Sequence, residues 1–413
     1  MSNTTSFPAR CALAAGFLSC IGSAAAFQQS LQQSSPAPEL AWLDGGRAQA
    51  VSPPAAFDAA AGERELQRAE MDRIGSLPVS CHGRRQHGVL YHVRKLPIGD
   101  ATEVAAPALN NAGLAVGYRA NPEDVIPTLW AGTTPYDLGA PEGEGGEAHG
   151  IGEHGAIVGM VGVPGPMRGF AAALWYKGAR WILRSPDPAN TEPFTVAVAI
   201  NRHGTIVGNH HTLATDDDRP VVWRRGVPAF LPSLYTTAFA RAINDAGYVV
   251  GSSDYFGGVF HQRAVLWTPD GRVVELGSLG GPDSRAFDIN NKGKIVGRAT
   301  PADGSTLLPV LWYRGRAGVL PVPGRMAASA QAINEHDQVV GYQIAGPAAT
   351  RRAVTWYGTA FYRLDTLLDD ESRGIVINDA QDVNEKGQIL ASTVLPNGVT
   401  QPLLLTPRPC YRR

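Results

Sequence analysis

The chain has 413 residues, of which 44% are hydrophobic and 18% are charged, so it has material for a large core and is not disordered in composition. Lys and Arg number 36 against 37 Asp and Glu, which excludes the strongly basic field typical of nucleic-acid-binding proteins. The 47 Gly and 31 Pro follow no collagen period and indicate many tight turns between short strands.

The N-terminal segment has the pattern of an export signal. Arg10 precedes an apolar stretch that ends at Phe27 and is too short to span a membrane. The small residues Ala24 and Ala26 predict cleavage after residue 26, and a lipid anchor at Cys20 is the alternative. We therefore expect residues 1–26 to be a signal peptide and the protein to be periplasmic or extracellular. No later segment is suited to cross a membrane.

Residues 27–88 differ in composition from the rest of the chain. Residues 27–54 are rich in Gln, Ser, Ala and Pro and read as a flexible spacer. Residues 57–74 predict a short helix with Leu66, Ala69 and Ile74 along one side. Whether this helix docks on the following domain is left open.

Seven copies of one motif follow, within residues 89–407. Its clearest form, Ala-x-Ala-Ile-Asn-x-x-Gly-x-Val-Val-Gly, runs from Ala240 to Gly251, and an apolar run ending in Trp follows it. Successive Trp residues are 44 to 48 positions apart. Gly152 replaces the Asn in the second copy, and Leu405 replaces the Trp in the seventh. The conserved positions of the motif are Asn110, Asn201, Asn244, Asn290, Asn334 and Asn384, and Trp130, Trp175, Trp223, Trp267, Trp312 and Trp356.

One copy of the motif predicts a four-stranded antiparallel sheet. Residues 240–244 alternate with the period of two that a strand requires. Asn244 at the first position and Gly247 at the fourth predict a type I turn into a second strand at residues 248–251. Residues 264–267 and 272–276 predict the third and fourth strands. Because such a sheet cannot bury both faces alone, neighbouring copies must stack, with one Trp packed between each pair of sheets.

The repeat predicts an all-β fold, a seven-bladed β-propeller over residues 89–407, with residues 408–413 as a tail. The seventh copy supplies only three strands, and the strand that begins at Val89 has no partners in a blade of its own. We therefore expect the N-terminal strand to complete the last blade and close the ring, which would remove exposed sheet edges.

The unit Ile-Asn-x-x-Gly-x-Val-Val-Gly followed by Ala-x-Leu-Trp resembles the HAF repeat of bacterial secreted proteins. The resemblance covers residues 89–407, although the His-Ala-Phe of the family is changed to Arg-Ala-Val at residues 263–265 and 352–354. It implies a propeller-like fold and an extracellular or envelope location. It implies no catalytic residues.

Two cysteines, Cys81 and Cys410, remain after removal of the predicted signal. If the first and last strands are antiparallel neighbours, the start of one lies beside the end of the other. The linkers then have enough slack for the Cα separation of about 6 Å that a disulfide needs. We predict a disulfide between these cysteines, which an exported protein permits. Two unrelated thiols are the alternative.

The sequence contains no Gly-x-Ser-x-Gly elbow, no Walker loop and no dinucleotide fingerprint, so we expect no cofactor and no catalytic residue. His149, Glu153 and His154 approach a zinc motif but have the wrong spacing and fall on a strand and turn. His210, His211 and Asp217 are weak metal candidates, because a solvated polar loop is the usual meaning of such a stretch. We therefore expect no metal site.

The second-to-third strand loops and the inter-blade connections vary in length and emerge at the same end of the sheets, whereas the Asn-x-x-Gly turns at the other end are uniform. Binding in repeat folds favours the variable loops. The candidate ligand-binding residues are aromatic or polar residues of the fourth copy, namely Tyr235, Phe239, Tyr255, Phe256, Phe260 and His261. A small satellite core over the blade is the alternative interpretation.

The expected function is a non-catalytic binding or scaffold module for a protein or a glycan. The alternative is an enzyme, a lyase or hydrolase with a site at the mouth of the central channel. An enzyme needs titratable groups from several repeats to converge near the axis. The second positions of the seven first strands are too mixed to indicate a catalytic set: Pro107, His149, Val198, Arg241, Phe287, Gln331 and Gln381.

Overall fold

The structure is a computed structural model that describes residues 89–409 except residues 142, 164–168, 188–193, 213–215, 257–259 and 346–349. Strands make up almost all of its regular structure. No helix in these residues is long and apolar enough to cross a membrane. The predicted signal peptide, spacer and helix at residues 57–74 lie outside the described residues.

The described strands follow the sequence repeats. The first three repeats and the strand before them comprise β1 (Val89–Lys95), β2 (Glu103–Leu109), β3 (Leu114–Ala120), β4 (Val125–Ala131), β5 (Thr134–Asp137), β6 (Gly146–Ile151), β7 (Ile157–Val163), β8 (Gly169–Tyr176), β9 (Ala179–Ile182), β10 (Phe194–Ile200), β11 (Ile206–Thr212), β12 (Asp217–Arg224) and β13 (Val227–Phe230). The remaining four comprise β14 (Thr237–Ile243), β15 (Val249–Phe256), β16 (Phe260–Trp267), β17 (Val273–Glu275), β18 (Gly280–Ile289), β19 (Ile295–Pro301), β20 (Leu308–Tyr313), β21 (Arg316–Val319), β22 (Ala328–Ile333), β23 (Gln338–Ala345), β24 (Thr350–Tyr357), β25 (Ala360–Arg363), β26 (Asp379–Val383), β27 (Ile389–Val394) and β28 (Thr400–Pro409). Two 3₁₀ helices span Pro323–Arg325 and Leu364–Thr366.

The turn predicted between the first two strands is present in repeat four. The Gly247 amide donates to the Asn244 carbonyl at 3.0 Å, and Gly247 has a φ of +84°, a conformation that glycine adopts without strain. The Asn244 side-chain oxygen also accepts a hydrogen bond from the Tyr248 amide at 3.0 Å. The asparagine therefore holds the backbone on both sides of the turn.

The strands form five four-stranded antiparallel sheets and one eight-stranded sheet, so the prediction of seven separate four-stranded blades is wrong. Repeats two and three share the eight-stranded sheet, because β8 and β10 pair in parallel between Phe170 and Phe194. The rings of these two residues also contact edge to face, with centroids 6.2 Å apart. Five blades of the β-propeller are therefore separate, and a backbone bridge joins the sheets of repeats two and three.

The prediction that the N-terminal strand closes the ring is also wrong. β1 pairs with β28 at the outer edge of the last sheet, whereas the inner strands β26 and β2 make the contact between the last repeat and the first. The long connection before β26 covers the free edge of β1. The Tyr91 amide donates to the Leu367 carbonyl at 2.7 Å, and the Asp369 amide donates to the Tyr91 carbonyl at 2.9 Å. This cover leaves the edge unavailable for pairing with another chain.

The hydrophobic core is divided among the interfaces between adjacent repeats. One cluster packs Val207 and Leu231 of repeat three against Ala240 and Trp267 of repeat four, and Trp267 is fully buried. The Trp267 indole donates to the Pro232 carbonyl at 2.7 Å. Equivalent bonds link Trp130 to Pro97, Trp175 to Gly139, Trp223 to Arg184 and Trp356 to Pro321. Each of these tryptophans thus joins two repeats, and its removal would cost about 3–5 kcal/mol.

The repeated asparagines connect the repeats at the turn end of the inner strands. Each asparagine amide donates to a backbone carbonyl of the next repeat, and Asn384 of the last repeat donates to Asn110 of the first at 2.9 Å. We call these six residues the asparagine circle. The other bonds run from Asn110 to Gly152, Asn201 to Asn244, Asn244 to Asn290, Asn290 to Asn334 and Asn334 to Asn384, at 3.0 to 3.4 Å.

The residue after each asparagine forms a second, parallel series. The Asp245 amide, for example, donates to the Asn291 side-chain oxygen at 2.8 Å. Both series lack a bond at one interface, between repeats two and three. Gly152 has no side-chain amide to donate, and Arg202 has no side-chain acceptor. The only described parallel strand pair between neighbouring sheets occurs at this same interface.

Candidate functional site

A β-bulge in every first strand determines where the candidate site lies. In repeat four the pairing with the second strand skips Arg241, between Ala240 and Ala242. Gly251 is required opposite the bulge, because a Cβ atom there would lie 1.8 Å from the Phe239 carbonyl oxygen. The bulges of the other repeats contain the remaining variable second positions, Pro107, His149, Val198, Phe287, Gln331 and Gln381.

The first strands enclose a space that we call the axial channel. Each first strand contacts the first strand of the repeat before it and of the repeat after it. His149 on β6 and Arg241 on β14 belong to repeats that are not neighbours, yet the Arg241 charge helps to lower the pKa of His149. The larger cause is burial, and together they lower this pKa to about 4. The coupling across repeat three indicates that both side chains face the channel.

Three arginines lie together where repeats four and five border the axial channel. Arg285 on β18 and Arg298 on β19 are cross-strand partners, and Arg241 lies on the first strand of the neighbouring repeat. Burial and the Arg298 charge lower the pKa of both Arg241 and Arg285. Within the part of the chain that the structure describes, none of the three forms an ion pair with a carboxylate. We call these residues the arginine cluster.

Aromatic side chains hold one member of the arginine cluster in place. The Arg298 guanidinium lies 5.6 Å from the ring centroid of Phe287, and its Nη1 atom donates to the Tyr342 hydroxyl at 3.4 Å. Such stacking and bonding reduce the freedom of the guanidinium. Arg241 and Arg285 make no hydrogen bond with any described residue, so their donors are free to meet a ligand.

Two aspartates border the arginine cluster without neutralising it. Asp254, which is 2% exposed, accepts a hydrogen bond from Gln262 Nε2 at 2.9 Å, and its Oδ1 atom has no hydrogen-bond partner among the described residues. Burial raises the pKa of Asp254, and the Arg285 charge opposes that rise. Asp283 accepts a hydrogen bond from the Gln262 backbone amide at 3.1 Å. With both carboxylates ionised, three positive and two negative charges leave a net charge of +1 at the site.

A cavity of about 350 Å³ opens beside the arginine cluster. Its size is at the lower end of the range of about 300–1,000 Å³ that small-molecule sites occupy. The lining residues are Arg285, Arg298, Gln262, Asp283, Ser284, Thr300 and Leu307. Leu307 is the single residue of this lining with an apolar side chain, and the other six offer polar groups together with the aliphatic carbons of their side chains. The cavity is therefore suited to a ligand that combines hydrogen-bonding groups with apolar carbon surface.

Repeats one and two place a different polar group at the inner strands. The Tyr118 hydroxyl donates to Glu103 Oε1 at 2.8 Å, and His149 Nε2 lies 3.4 Å from Glu147 Oε2. Burial, followed by the Glu103 charge, raises the pKa of Glu147 to about 8. At pH 7 Glu147 is therefore protonated and His149 is neutral, and neither adds charge to the channel.

The structure places the predicted aromatic site on strands and not on a long loop. β15 extends to Phe256 and β16 starts at Phe260, with Tyr255 paired to His261. The predicted bounds of these strands, residues 248–251 and 264–267, are therefore too short, because the hairpin continues its backbone pairing almost to its tip. The side chains of Tyr255, Phe256 and Phe260 lie outside the described part of the molecule.

The other three predicted aromatic or polar residues lie apart from the arginine cluster or at its border. The Tyr235 hydroxyl donates to Glu275 Oε2 at 3.3 Å, on the outer strand. Phe239 is half-buried on β14, where it pairs with Ser252. His261 Nδ1 lies 3.4 Å from Asp283 Oδ1, which brings it to the edge of the cavity.

The weak metal candidates occupy separate surroundings. His210 is fully buried on β11, with its Nδ1 atom 2.8 Å from the Thr195 hydroxyl, and burial lowers its pKa. The next residue, His211, points to the opposite face of the sheet. Its Nδ1 atom lies 3.2 Å from Asp218 Oδ1. Asp217 begins β12 opposite Thr212.

One group of described residues has the spacing of a metal site. His92, Asp369 and Glu371 place their ligand atoms within 4.8 Å of one another. However, the Arg408 guanidinium lies 3.1 Å from Asp369 Oδ2. Arg408 already supplies a positive charge to this group. The contacts among these residues link β1, β28 and the connection before β26.

Both cysteines of the predicted disulfide, Cys81 and Cys410, lie outside the described residues. Val89 and Pro409, the described residues nearest to them in the chain, are paired partners of β1 and β28. The disulfide stays a prediction.

Sequence reasoning missed most of the arginine cluster. Arg241 appeared among the second positions, but Arg285 and Arg298 did not. Arg285 lies two residues before the bulge residue Phe287, and Arg298 follows the Ile-Val-Gly of its repeat. Alternate residues of a strand lie on the same face of the sheet. A comparison of every alternate position in the first two strands of each repeat would therefore have found both arginines.

No family model and no curated protein matches the chain. The fold is similar to the β-propeller domain of the Trilobed protease from Pyrococcus furiosus, with a TM-score of 0.52 and 9% identity over 75% of this chain and 94% of that chain. Acylaminoacyl peptidase from Pyrococcus horikoshii matches with a TM-score of 0.48 and 11% identity, over 76% and 53% of the two chains. Aleuria aurantia lectin matches with a TM-score of 0.34 and 9% identity, over 73% and 91%. At 9% identity the likeness to the Trilobed protease domain shows the fold alone, and the expected β-propeller is to that extent confirmed.

Proposed function

We propose that the protein is an exported, non-catalytic binding module of the HAF-repeat type, which takes a negatively charged ligand at the arginine cluster. The observation that carries this proposal is the approach of three arginines from neighbouring repeats without an ion-pair partner among the described residues. Arg285 and Arg298 are half-buried, and Arg241 is exposed. Like charges placed side by side raise the free energy of the unliganded protein, most where they are partly buried. An anion would offset that cost.

The chemistry of the cluster supports binding more than turnover. Arginine keeps its proton at all physiological pH values and offers several N–H donors in a fixed fork, so it holds anions and does not exchange protons. A lyase or hydrolase would depend on groups that exchange protons. Glu147 and His149 are a pair of such groups, and their side chains lie close together on the first strand of repeat two. For a binding module, the ligand would be a protein or a glycan that presents one acidic group to the inner strands.

The test is an array of acidic, neutral and basic glycans and peptides, probed with the purified mature protein. We expect retention of acidic probes, and we expect a variant with both Arg241→Gln and Arg285→Gln to lose at least tenfold in affinity for them. Arg272→Gln is the matched control, because Arg272 is an exposed arginine that pairs with Asp270 far from the channel.

Two outcomes would overturn the proposal. One is undiminished binding by the double variant that still unfolds at the wild-type temperature. The other is binding confined to neutral or basic probes. Conversion of a retained probe to a product by the wild-type protein, lost on Glu147→Gln, would replace the binding module with the enzyme alternative.

A further inference from the structure

We infer that the group bound in the cavity beside the arginine cluster is the monoanionic sugar ring of an acidic glycan, a uronic acid residue. This inference rests on the proposed function and specifies its ligand. It is carried by three properties of the described residues: the net charge of the site, the hydrogen-bonding capacity of the cavity and its size.

The net charge favours a ligand with a single negative charge. With Asp254 and Asp283 both ionised, the charges of Arg241, Arg285 and Arg298 exceed theirs by one, so one further negative charge neutralises the site. Asp283 lines the same cavity as Arg285 and Arg298. A phosphate monoester or a polysulfated sugar would bring a second negative charge towards this carboxylate and be repelled by it. A carboxylate of one charge fits a guanidinium fork without that repulsion.

The remaining lining suits hydroxyl groups. The Ser284 hydroxyl accepts a hydrogen bond from the Ala264 amide at 3.0 Å, which leaves its own proton to donate. Asp283 uses Oδ1 for the Gln262 amide and for His261, and its Oδ2 atom accepts no bond from a described residue. Gln262 uses Nε2 to bond Asp254, which orients its side-chain oxygen as a free acceptor. A sugar ring presents alternating hydroxyl donors and acceptors that would satisfy these groups.

Size and polarity separate a sugar from an acidic peptide. A cavity of about 350 Å³ admits one ring and leaves the rest of a glycan outside. An aspartate or glutamate side chain would bring its carboxylate but no hydroxyls, and it would leave the free oxygens of Gln262 and Asp283 without donors. Unsatisfied polar groups at a binding site lower affinity. The observations therefore favour the sugar over the peptide.

The experiment is isothermal titration of the purified protein with four probes at constant ionic strength. The probes are tri-galacturonate, the same trimer with its carboxyl groups reduced to alcohols, tri-aspartate and a sulfated disaccharide. We expect tri-galacturonate to bind at least tenfold more tightly than each of the others. We expect Arg285→Gln to reduce its affinity tenfold or more, while Arg272→Gln leaves it unchanged.

Two further variants separate charge from hydroxyl recognition. Gln262→Leu should weaken tri-galacturonate binding severalfold and leave tri-aspartate binding unchanged, because only the sugar uses the amide oxygen. Arg285→Lys keeps the charge but loses the fork, and should recover part of the affinity that Arg285→Gln loses. Thermal unfolding of each variant checks that the fold is intact.

The outcomes distinguish this inference from the proposed function. Equal or tighter binding of tri-aspartate or of the sulfated disaccharide, still dependent on Arg285, would overturn the sugar assignment and keep the anion-binding module. Equal binding of the reduced trimer, unaffected by Arg285→Gln, would overturn both. Failure of all acidic probes to bind would also overturn both.

Discussion

The two ends of the inner strands differ in how completely their polar groups are paired. At the turn end, the same residue type recurs in six of seven repeats, and each asparagine amide donates to the next repeat. Towards the loop end, the second positions of the first strands hold six residue types in seven repeats, with glutamine recurring only in the last two. There His149 Nε2 and Asp254 Oδ1 lack hydrogen-bond partners among the described atoms, and arginines stand next to arginines.

This difference separates stability from function within one strand. A uniform and fully paired set of polar groups contributes to folding in every repeat and has little capacity left for a ligand. A heterogeneous set with unpaired atoms and like charges costs stability, which suggests that it is retained for binding. Changes at the turn end should therefore alter stability, and changes at the loop end should mainly alter binding.

Of the predictions that test this comparison, the largest effect on stability is expected when one member of the asparagine circle is removed. Asn334→Ala would leave the His336 and Gln338 amides without their side-chain partner, and the Asn384 carbonyl would keep only the Gly387 amide. Each unsatisfied buried group costs about 1–3 kcal/mol, so the free energy of unfolding should fall by about 3 kcal/mol in total. Urea unfolding measures this. The control is Asn397→Ala in the exposed hairpin before β28, where one bond to the Val399 amide is lost and the loss should stay below about 1 kcal/mol. Equal effects of the two changes would contradict a structural role for the circle.

A second prediction concerns the pH dependence of the free energy of unfolding, through Glu147 at the loop end. The folded-state pKa of Glu147 is raised from 4.5 to about 8, so between these pH values the folded protein holds a proton that the unfolded chain releases. Stability contributed by this group is therefore lost as pH rises through that window. Glu147→Gln should abolish about 2 kcal/mol of the loss between pH 6.5 and pH 9, seen as a flatter dependence of unfolding free energy on pH.

The measurement starts at pH 6.5 because His149 acts in the opposite direction below it. Its pKa is lowered from 6.5 to about 4, so its contribution to stability is lost as pH falls through that range. Asp382, a buried carboxyl of repeat seven with its pKa raised to about 7, titrates in both proteins and cancels in the comparison. An unchanged pH slope in the Gln variant would show that Glu147 is ionised in the folded protein.

A smaller gain is expected at the interface where the asparagine circle is interrupted. Gly152→Asn should restore the missing bond to the Asn201 carbonyl and raise the free energy of unfolding by about 1 kcal/mol. The site has room, since a Cβ atom at Gly152 would approach Ile200 no closer than 3.4 Å. Gly251→Asn is the control, because its Cβ would clash with the Phe239 carbonyl and the variant should be strongly destabilised. A loss of stability in Gly152→Asn would mean that the parallel bridge between β8 and β10 requires the glycine.

The smallest effect on stability is expected at the arginine cluster. Arg285→Gln removes a charge that has no ion-pair partner among the described residues and relieves repulsion from Arg298. The free energy of unfolding should change by less than about 0.5 kcal/mol or rise slightly. A fall of 2 kcal/mol or more in the thermal unfolding of this variant would assign Arg285 to the framework and not to a site.

Much of the local structure was predictable because it depends on residues close in sequence. The turn at Asn244 and Gly247 follows from the turn chemistry of those two residues, and the buried Trp267 follows from its place in the repeat. The extension of β15 to Phe256 was not predictable from the motif, since the pairing of a hairpin near its tip depends on the partner strand. The site was missed for a similar reason: Arg241 and Arg285 are 44 residues apart in sequence and meet only when their repeats stack.

The repeat, the turns and the residues that pack between repeats could be predicted from the amino-acid sequence, because these follow from short-range backbone preferences and from the period of the hydrophobic residues. How the repeats join depends on contacts between residues that are far apart in the chain. The parallel bridge between Phe170 and Phe194 merges two sheets into one, and the inner strands β26 and β2, not β1, bring the last repeat to the first. Only stacking also turns scattered side chains into one charged site, since the energy of a charge depends on its neighbours in space and not on its position in the chain.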